Sequence, residues 1–529
     1  MEGSVFAQIV NFASFGKLYT CREFQPGYEI PDFSSPSETD PEKAHSDGST
    51  NTTVISGSTV FVTFTKDDPE NPKNWSTTKK VFVTVQILLL TFAMYVGSSI
   101  YTPAIAEISE DYGISTVAAI TPLSVFVFGY GVGPIVLSPL SEHPAIGRLW
   151  IYMVCQGISI CLMVPLALAP NLGAMLALRF IMGITVSPAL ATGGATLGDM
   201  YEIAYLPFAL AFWSISAICG PVFGPVLGGV FAQVLNWHWT IWIWMIIAAA
   251  VFVFLFFCFP ETSGAHILHN RARRLQKINP SVKYTTESDE EWRAMSNKEV
   301  AYQILLRPLV IIFSEPIVFF LDAYIGLSYA ILYTWFEAFP MVFSELHGFN
   351  LIQTGLTYLG LIVGGLLAAF LYIPVVYKTF TKPVVERGEF PPVALFMKIA
   401  LFGAILFPIS IFMFGWTSHK NVHWIVPVIA GMLNVLGQYF IFQTVFNYLS
   451  GSYHRFIASV FAGNGLFRSG MAGAFPLFAR AMFVKLGPDS FPVGFGCTLL
   501  GCLSALMILI PIVLIRYGER LKGGSKWAN

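Results

Sequence analysis

The sequence predicts an all-α membrane protein in which twelve transmembrane helices form two sets of six. Apolar residues make up 55% of the 529 residues, charged residues make up only 12%, and the mean hydropathy is +0.65. Soluble chains do not have this composition. Apolar runs of the roughly 20 residues that a helix needs to cross the hydrocarbon core recur along most of the chain. A polar stretch over residues 260–307 divides them into the two sets.

Five regions follow from this pattern. Residues 1–79 are rich in Ser, Thr, Asp and Pro, which predicts a mostly disordered N-terminal tail. Apolar residues from Val5 to Phe12 recur on one helical face, which allows a short helix at the membrane surface. The other regions are a first bundle over 80–259, a linker over 260–307, a second bundle over 308–516 and a C-terminal tail over 517–529. The twelve spans are predicted over 81–104, 117–139, 149–169, 173–198, 206–233, 237–259, 314–337, 351–377, 393–415, 424–447, 456–483 and 492–516.

The distribution of lysine and arginine predicts the orientation of the spans. With the N-terminus inside, the cytoplasmic segments near the span ends and the linker carry twenty of these residues, whereas the outer loops carry two, Lys420 and Lys485. Lysine and arginine are enriched in cytoplasmic loops. We therefore expect both termini to lie in the cytoplasm.

The fifth predicted span contains a motif of glycines and prolines. Its glycines recur every four residues, which exposes one flat side of a helix to close approach by another helix. Its prolines each remove a backbone donor and bend the helix there. The motif predicts either a tightly packed, kinked helix or a hinge and seal between the two halves of the molecule. It consists of Gly220, Pro221, Gly224, Pro225, Gly228 and Gly229.

Small-residue faces on other spans suggest partners across the two halves. The eighth span presents Gly360, Gly364 and Ala368, which we expect to pack against the fifth. The second span presents Gly129 and Gly133, and we expect them to meet the glycines over 463–473 on the eleventh.

Charged residues occur at a cytoplasmic turn and inside the membrane. Glu142 and Arg148 flank the turn between the second and third spans, and Asp199 ends the fourth span on the same side. They form either a partly desolvated charge cluster or an ordinary surface salt bridge. Arg179 lies well inside the fourth span, where a charge generally faces a cavity or a partner, the alternative being a side chain that extends to the membrane interface. Asp322 lies inside the seventh span and is either a proton carrier or a polar residue near the cytoplasmic mouth.

Aromatic and amide side chains on three spans are candidates for a substrate cavity. Aromatic walls with scattered amides bind varied apolar or cationic molecules by area burial and adaptable polar contacts. The alternative is that the aromatic side chains face lipid and the amides join one helix to another. The candidates are Tyr324, Tyr333 and Trp335 on the seventh span, Asn434, Gln438 and Gln443 on the tenth, and Asn464 and Arg468 on the eleventh.

Several of these motifs resemble those of the major facilitator superfamily over some 450 residues. The motif from Gly220 to Gly229 is similar to the antiporter signature of its fifth span, with Ala211 in place of the first glycine. Glu142, Gly147 and Arg148 fill the places of its loop motif, although two extra residues separate Glu142 from Gly147. Arg179 resembles the arginine of its fourth-span motif, with Met182 in place of glutamine.

Two further segments resemble the fungal drug:proton antiporters of that superfamily. They are the pre-membrane sequence Asp68-Pro-Glu-Asn-Pro-Lys-Asn-Trp75 and the turn Pro139-Leu-Ser-Glu-His-Pro-Ala-Ile-Gly-Arg148. The latter is similar to exporters of the benomyl, cycloheximide and fluconazole resistance type. The resemblance implies two pseudo-symmetric six-helix bundles and export of small, largely apolar drugs in exchange for protons by alternating access. It also implies a plasma-membrane location, with the vacuolar membrane as the alternative.

The resemblance also bears on the roles of the charged residues. The family's arginine at the position of Arg179 is tied to proton coupling, and its carboxylate at the position of Asp199 shares the loop arginine. We therefore expect Glu142, Arg148 and Asp199 to form a latch that holds the outward-facing form. Asp322, by its depth in the seventh span, stays a candidate proton carrier or a polar residue near the cytoplasmic mouth. We expect small-molecule substrates, protons and lipid as partners, a monomer, no nucleic acid, no cofactor and no metal. The chain has no nucleotide-binding loop of Walker type, so ATP is not the expected energy source.

Two other function classes remain open. One is a dedicated proton-coupled exporter of one compound class, such as a polyamine, a secondary metabolite or a toxin. The other is a non-transporting receptor or a membrane enzyme. The sequence shows no nucleophile–base cluster and no metal-spaced histidine set, so we predict that the protein is not an enzyme.

Overall fold

The computed structural model describes residues 4–13, 23, 59–453, 456–488 and 491–528, and is helical over most of them. Eleven helical segments in these ranges are long and apolar enough to cross a membrane. The helix Ile457–Leu486, with 30 residues, has the length of a span but carries Arg468, Arg480 and Lys485, and we number it as the eleventh span. The first ten spans are Thr77–Val96, Thr116–Glu142, Gly147–Ala167, Leu172–Met200, Leu206–Val234, Trp237–Cys258, Pro316–Leu346, Leu351–Arg387, Ala394–Thr417 and Ile425–Ser452, and the twelfth is Gly494–Gly523.

Four spans are built from shorter helical pieces, and further short elements connect the spans. The fourth span contains Leu172–Val186, Pro188–Ala191 and Gly193–Met200, and the seventh contains Pro316–Phe339 and the π-helix Pro340–Leu346. The eighth span contains Leu351–Thr357, Leu359–Val376, the π-helix Tyr377–Thr381 and Lys382–Arg387. The twelfth span contains Gly494–Leu506 and Leu509–Gly523. The other helices are Val5–Ala13, Pro72–Asn74, Thr102–Ala104, Ile105–Tyr112, Gly264–Ile278, Glu287–Ala294, Asn297–Ala301, Tyr302–Leu306 and Arg307–Ser314, and the strands are Thr59–Phe61 and Lys283–Thr285.

The first span ends eight residues before its predicted end at residue 104, at Val96. Serine hydroxyls compete for the carbonyls at the end of the helix, since Ser98 Oγ donates to Tyr95 O at 2.9 Å. Pro103 then supplies no N–H group that could continue the ladder. The chain turns instead into the short helices that precede the second span.

The two bundles repeat one pattern of helix pairing. In the first bundle the first span packs against the fifth, the second against the fourth, and the third against the sixth. In the second bundle the seventh packs against the eleventh, the eighth against the tenth, and the ninth against the twelfth. The bundles meet where the second span contacts the eleventh and the fifth contacts the eighth. The molecule is therefore pseudo-symmetric, with its main seams at these two contacts.

Several of these glycine faces pack inside a bundle. The expected contacts of Gly364 with the fifth span and of Gly129 with the eleventh were therefore wrong, whereas Gly220 and Gly228 agree with the tight-packing alternative. A Cβ on Gly220 would lie 2.7 Å from Tyr95 Cβ, and one on Gly228 would collide with Ile100 O, so this face of the fifth span contacts the first. Gly364 faces the backbone of Met432 on the tenth span rather than the fifth. The second-span glycine Gly129 faces Gly183 on the fourth span rather than the eleventh.

Other glycines on the same spans lie between the bundles. A Cβ on Gly229 would lie 2.6 Å from Leu351 O, and a Cβ on Gly355 would lie 2.7 Å from Pro225 O. At the second seam, Gly131 faces the Ser469 side chain of the eleventh span. The structure describes all four glycines of the fifth-span motif. Among these four, only Gly229 has its nearest neighbours to an added Cβ in the other bundle.

The membrane-proximal part of the tail differs from the disorder expected for residues 1–79. Thr59–Phe61 pairs in parallel with Lys283–Thr285 of the linker. Arg271 on the linker helix Gly264–Ile278 bonds both oxygens of Asp68, at 2.5 and 3.0 Å. Burial lowers the pKa of Arg271, but the hydrogen bond to Asp68 and the nearby carboxylates outweigh it and raise the pKa. Amino-acid composition alone could not predict these contacts, because they join residues that are far apart in the sequence.

The rest of the tail lies mainly outside the described residues. Its short helix is present as Val5–Ala13 and packs on the sixth span, where the Phe6 and Phe257 ring centroids lie 5.0 Å apart. Glu23 is also described, and its carboxylate lies 2.8 Å from Arg274 of the linker.

Candidate functional site

A partly buried ion pair joins the N-terminal end of the third span to the C-terminal end of the fourth. Arg148 Nε donates to Asp199 Oδ2 at 2.5 Å, and Nη2 donates to Oδ1 at 3.3 Å. The Arg148 side chain is 8% exposed and the Asp199 side chain 23% exposed. A two-point contact of this kind fixes the orientation of both groups as well as their distance. Two of the three predicted latch residues are therefore in contact.

Glu142 is not in direct contact with Arg148, and a different carboxylate occupies this turn. Glu142 is exposed, and it forms no hydrogen bond or ion pair with Arg148 within the described ranges. Glu261, at the end of the sixth span, accepts from the backbone N–H of Arg148 at 3.3 Å and of Leu149 at 3.1 Å. The charge of Glu142 nevertheless interacts with those of Arg148 and Asp199, so the three predicted residues form a charge cluster in which only Arg148 and Asp199 are in direct contact.

Glu261 also binds the start of the linker helix. It accepts from the N–H groups of Thr262 and Ser263, at 2.8 and 2.7 Å. The carboxylate therefore lies at the N-termini of two helices, where unpaired N–H groups and the helix dipole favour negative charge. The signal in the sequence was the acidic residue between the last apolar residue of the sixth span and the linker helix.

Arg179 is fully buried inside the first bundle. Its Nη1 donates to Gly97 O at 2.6 Å, at the C-terminus of the first span, where a cation is favoured. Its guanidinium carbon lies 4.4 Å from the centroid of the Tyr101 ring. Within the described ranges no carboxylate forms an ion pair with Arg179. The partner that we expected for this cation is thus a helix end with an aromatic ring.

Asp322 and Asn464 meet inside the second bundle. Asn464 Nδ2 donates to Asp322 Oδ1 at 2.7 Å, while Asp322 Oδ2 is buried with no hydrogen-bond partner among the described residues. One turn further along the eleventh span, Arg468 lies 4.8 Å from the Tyr329 ring centroid. The structure therefore brings Asp322 and Asn464 into contact and places Arg468 close enough for its charge to act on Asp322.

Tyrosine hydroxyls close the space between the bundles. Tyr130 of the second span donates to the hydroxyls of Tyr329 and Tyr333 on the seventh, at 3.2 and 3.3 Å. All three side chains are buried. Tyr333 was predicted, but Tyr130 was missed, because its position on the second span gives no sign of which helix it faces.

The remaining candidates mostly join one helix to another. Trp335 Nε1 donates to Asn434 Oδ1 at 3.0 Å, and Asn434 Nδ2 donates to Ser410 Oγ at 3.0 Å. Gln438 Nε2 donates to Ser328 O at 3.0 Å. These contacts lie within the second bundle, which favours the packing alternative for their side chains. The Tyr324 hydroxyl is buried without a hydrogen-bond partner among the described residues.

Gln443 is the exception, since it crosses to the other bundle. Its Nε2 donates to Ser214 Oγ at 2.5 Å and to Leu210 O at 3.2 Å, both on the fifth span. The neighbouring Tyr439 hydroxyl donates to Ala211 O at 2.7 Å. The tenth span thus holds the N-terminal half of the fifth span through polar contacts that a relative movement of the bundles would break.

Comparisons with known proteins agree with this architecture. The family model described as "Major Facilitator Superfamily" matches residues 87–476. The chain is 44% identical to "Transporter mfs1" of Schizosaccharomyces pombe, over 92% of each chain. It is 43% identical to "Multidrug transporter FLR1" of Candida glabrata, over 88% of this chain and 83% of the relative.

The fold matches a solved structure as well. The proton:xylose symporter XylE aligns with a TM-score of 0.55 and 15% identity, over 84% of this chain and 96% of that one. The predicted fold class, two six-helix bundles without a sheet domain, is confirmed. The predicted family is also confirmed: this chain belongs to the Major Facilitator Superfamily.

Proposed function

We propose that this membrane transporter exports structurally diverse, largely apolar drugs in exchange for protons. Membership of the superfamily makes the chain a multi-pass transporter and not an enzyme. The name of the relative "Multidrug transporter FLR1" supports drugs as the substrate class. The observation that carries proton coupling is Asp322, a fully buried carboxylate with one unpaired oxygen among the described residues. Ionisable residues inside the membrane generally serve transport or proton relay.

In the proposed cycle the two bundles move against each other about the seams between the second and eleventh and the fifth and eighth spans. The Arg148–Asp199 pair and Glu261 hold the cytoplasmic ends of the third, fourth and sixth spans together, which favours the outward-facing form. Protonation and deprotonation of Asp322 change the charge beside Arg468 and the tyrosines between the bundles. That change makes the movement depend on protons.

We further propose a fungal plasma membrane, cytoplasmic termini and a monomer, with the vacuolar membrane as the alternative location. The excess of lysine and arginine in the linker and at the inner span ends supports this orientation. A fluorescent fusion would distinguish the two membranes. Glycan on Asn51 or Asn74 would contradict cytoplasmic termini.

Two experiments test the proposal: expression in yeast, and transport by purified protein in lipid vesicles with an imposed pH gradient. Expression in yeast that lacks its own drug pumps should raise tolerance to unrelated compounds, including cycloheximide and fluconazole. In vesicles, drug accumulation should collapse when an ionophore dissipates the pH gradient. Drug binding without gradient-driven flux would indicate a receptor and contradict the proposal. Tolerance to one chemical class alone would favour the dedicated exporter.

A further inference from the structure

A second carboxylate, Glu337, is buried in the seventh span. It is 6% exposed and lies nine residues before the end of the span at Leu346, which is about 13 Å along a helix. From its position in the sequence we would place it at the interface, yet it lies within the span. Burial of a carboxylate at such a depth is costly, so its retention indicates a use.

Glu337 and Asp322 lie on one stripe of the seventh span. The stripe continues from Asp322 through Tyr329 and Tyr333 to Glu337, at steps of seven, four and four residues. Residues at these steps share one face of a helix. Tyr329 and Tyr333 contact Tyr130, so this face looks toward the first bundle. Two carboxylates about 22 Å apart therefore bracket the tyrosines that close the seam.

The surroundings of Glu337 contain few groups that could neutralise it. Within the described ranges its carboxylate forms no hydrogen bond or ion pair. Arg480 on the eleventh span faces it but is bonded to Glu345 at 2.7 Å. Tyr101 of the first bundle and Tyr358 of the eighth span also lie close enough to interact with its charge.

Tyr101 connects this carboxylate to the first bundle. The guanidinium of Arg179 lies 4.4 Å from the ring centroid of Tyr101. Glu337 and Arg179 therefore act on the same tyrosine from opposite bundles. A movement of the bundles would change the distance between these two charges, and so the cost of ionising Glu337.

We propose that Glu337 is the outer proton-binding group of this transporter and that Asp322 is the inner one. The inference rests on the proposed proton coupling. A proton from outside water binds the Glu337 carboxylate and forms the neutral acid. It passes along the stripe through the hydroxyls of Tyr333 and Tyr329 and water admitted as the bundles move, each hydroxyl gaining one proton and releasing one. Asp322 receives the proton and releases it to the cytoplasmic water.

The test compares wild type, Glu337→Gln and the control Glu110→Gln in vesicles. Glu110 is a suitable control, because it is an exposed carboxylate on the helix Ile105–Tyr112 and its side chain forms no hydrogen bond or ion pair among the described residues. Drug accumulation driven by a pH gradient should fall about a hundredfold in Glu337→Gln, the lower range for loss of a proton-transfer group. Exchange of labelled for unlabelled drug without a gradient should stay at the wild-type rate. Glu110→Gln should match wild type in both measurements.

Three outcomes would overturn parts of this account, and they can be told apart. Full gradient-driven accumulation by Glu337→Gln would overturn the role of Glu337 alone. Loss of exchange as well, in protein of wild-type yield and thermal stability, would also overturn it, because a proton carrier is not needed for exchange. Failure of wild type to respond to the gradient would overturn the proposed function itself. Recovery of accumulation in Glu337→Asp would support the inference.

Discussion

Gly147 shows how a single residue shapes the turn between the second and third spans. Its φ is +74°, a conformation that favours glycine. A Cβ there would lie 2.5 Å from Glu261 Oε2 and 2.7 Å from His266 Cγ. The missing side chain lets the Glu261 carboxylate reach the first N–H groups of the third span. The glycine of the loop motif is therefore explained by a residue more than a hundred positions away.

We predict that Glu261 matters more to transport than Glu142. Glu261→Gln removes the charge that two helix N-termini stabilise and leaves four N–H groups with a weaker acceptor. Drug efflux from yeast should fall about tenfold or more, consistent with loss of 1.4 kcal/mol or more from the form that this turn stabilises. Glu142→Gln, at an exposed position in the same turn, should stay close to wild type at equal surface level. A larger loss in Glu142→Gln would restore the latch as the sequence predicts it.

At the level of elements, the fifth span owes its contact with the first to its prolines as well as its glycines. Pro225 has no N–H group to donate to the carbonyl of Pro221. The Ser99 hydroxyl, just past the end of the first span, donates to that carbonyl instead. The freed backbone group is satisfied by a neighbouring helix, as membrane helices with internal proline require.

These contacts show what sequence can and cannot predict here. Spacing predicted the helices, the glycine faces and the Arg148–Asp199 pair, because each depends on local pattern or on the family motif. It did not predict that Gly220 faces the first span and Gly229 the eighth. Nine residues make about two and a half turns and so place these glycines on opposite faces, but spacing alone does not say which helix lies against each face. Which helix lies against a given face, and whether Glu337 is buried, both depend on how the bundles assemble.

The contact between Asp68 of the tail and Arg271 of the linker is here called the clasp. We predict that the clasp stabilises the linker against proteolysis. Arg271→Ala removes the two-point partner of Asp68, and breaking such a buried pair costs about 3 kcal/mol. Limited digestion of the purified protein with chymotrypsin, whose cleavage sites neither substitution removes, should therefore cut the linker faster. Arg293→Ala is the control, because it loses an exposed contact with Glu290 at 3.1 Å on the same linker. Equal cleavage rates for the two variants would contradict a structural role for the clasp.

At the scale of the whole molecule, the contacts fall into two classes with different expected behaviour. Pairings within a bundle use close glycine faces and bury them against a neighbouring backbone, which resists sliding. Contacts between bundles include hydroxyl and amide bonds, such as those of Tyr130 and Gln443. Polar contacts of this kind can break and re-form as the bundles move. Alternating access therefore predicts that the second class changes during transport and the first does not.

A pair of cross-links tests that division. In a background without native cysteines, Ser214→Cys with Gln443→Cys joins the bundles at a 2.5 Å contact. A short membrane-permeant thiol cross-linker should stop drug efflux in this variant, and a reductant should restore it, because the fifth and tenth spans must separate for the cytoplasmic side to open. Ser410→Cys with Asn434→Cys replaces a 3.0 Å contact inside the second bundle, and its cross-link should leave efflux largely intact. Undiminished efflux by the first cross-linked variant would mean that these spans stay together throughout the cycle, and the two bundles would then not rock as units.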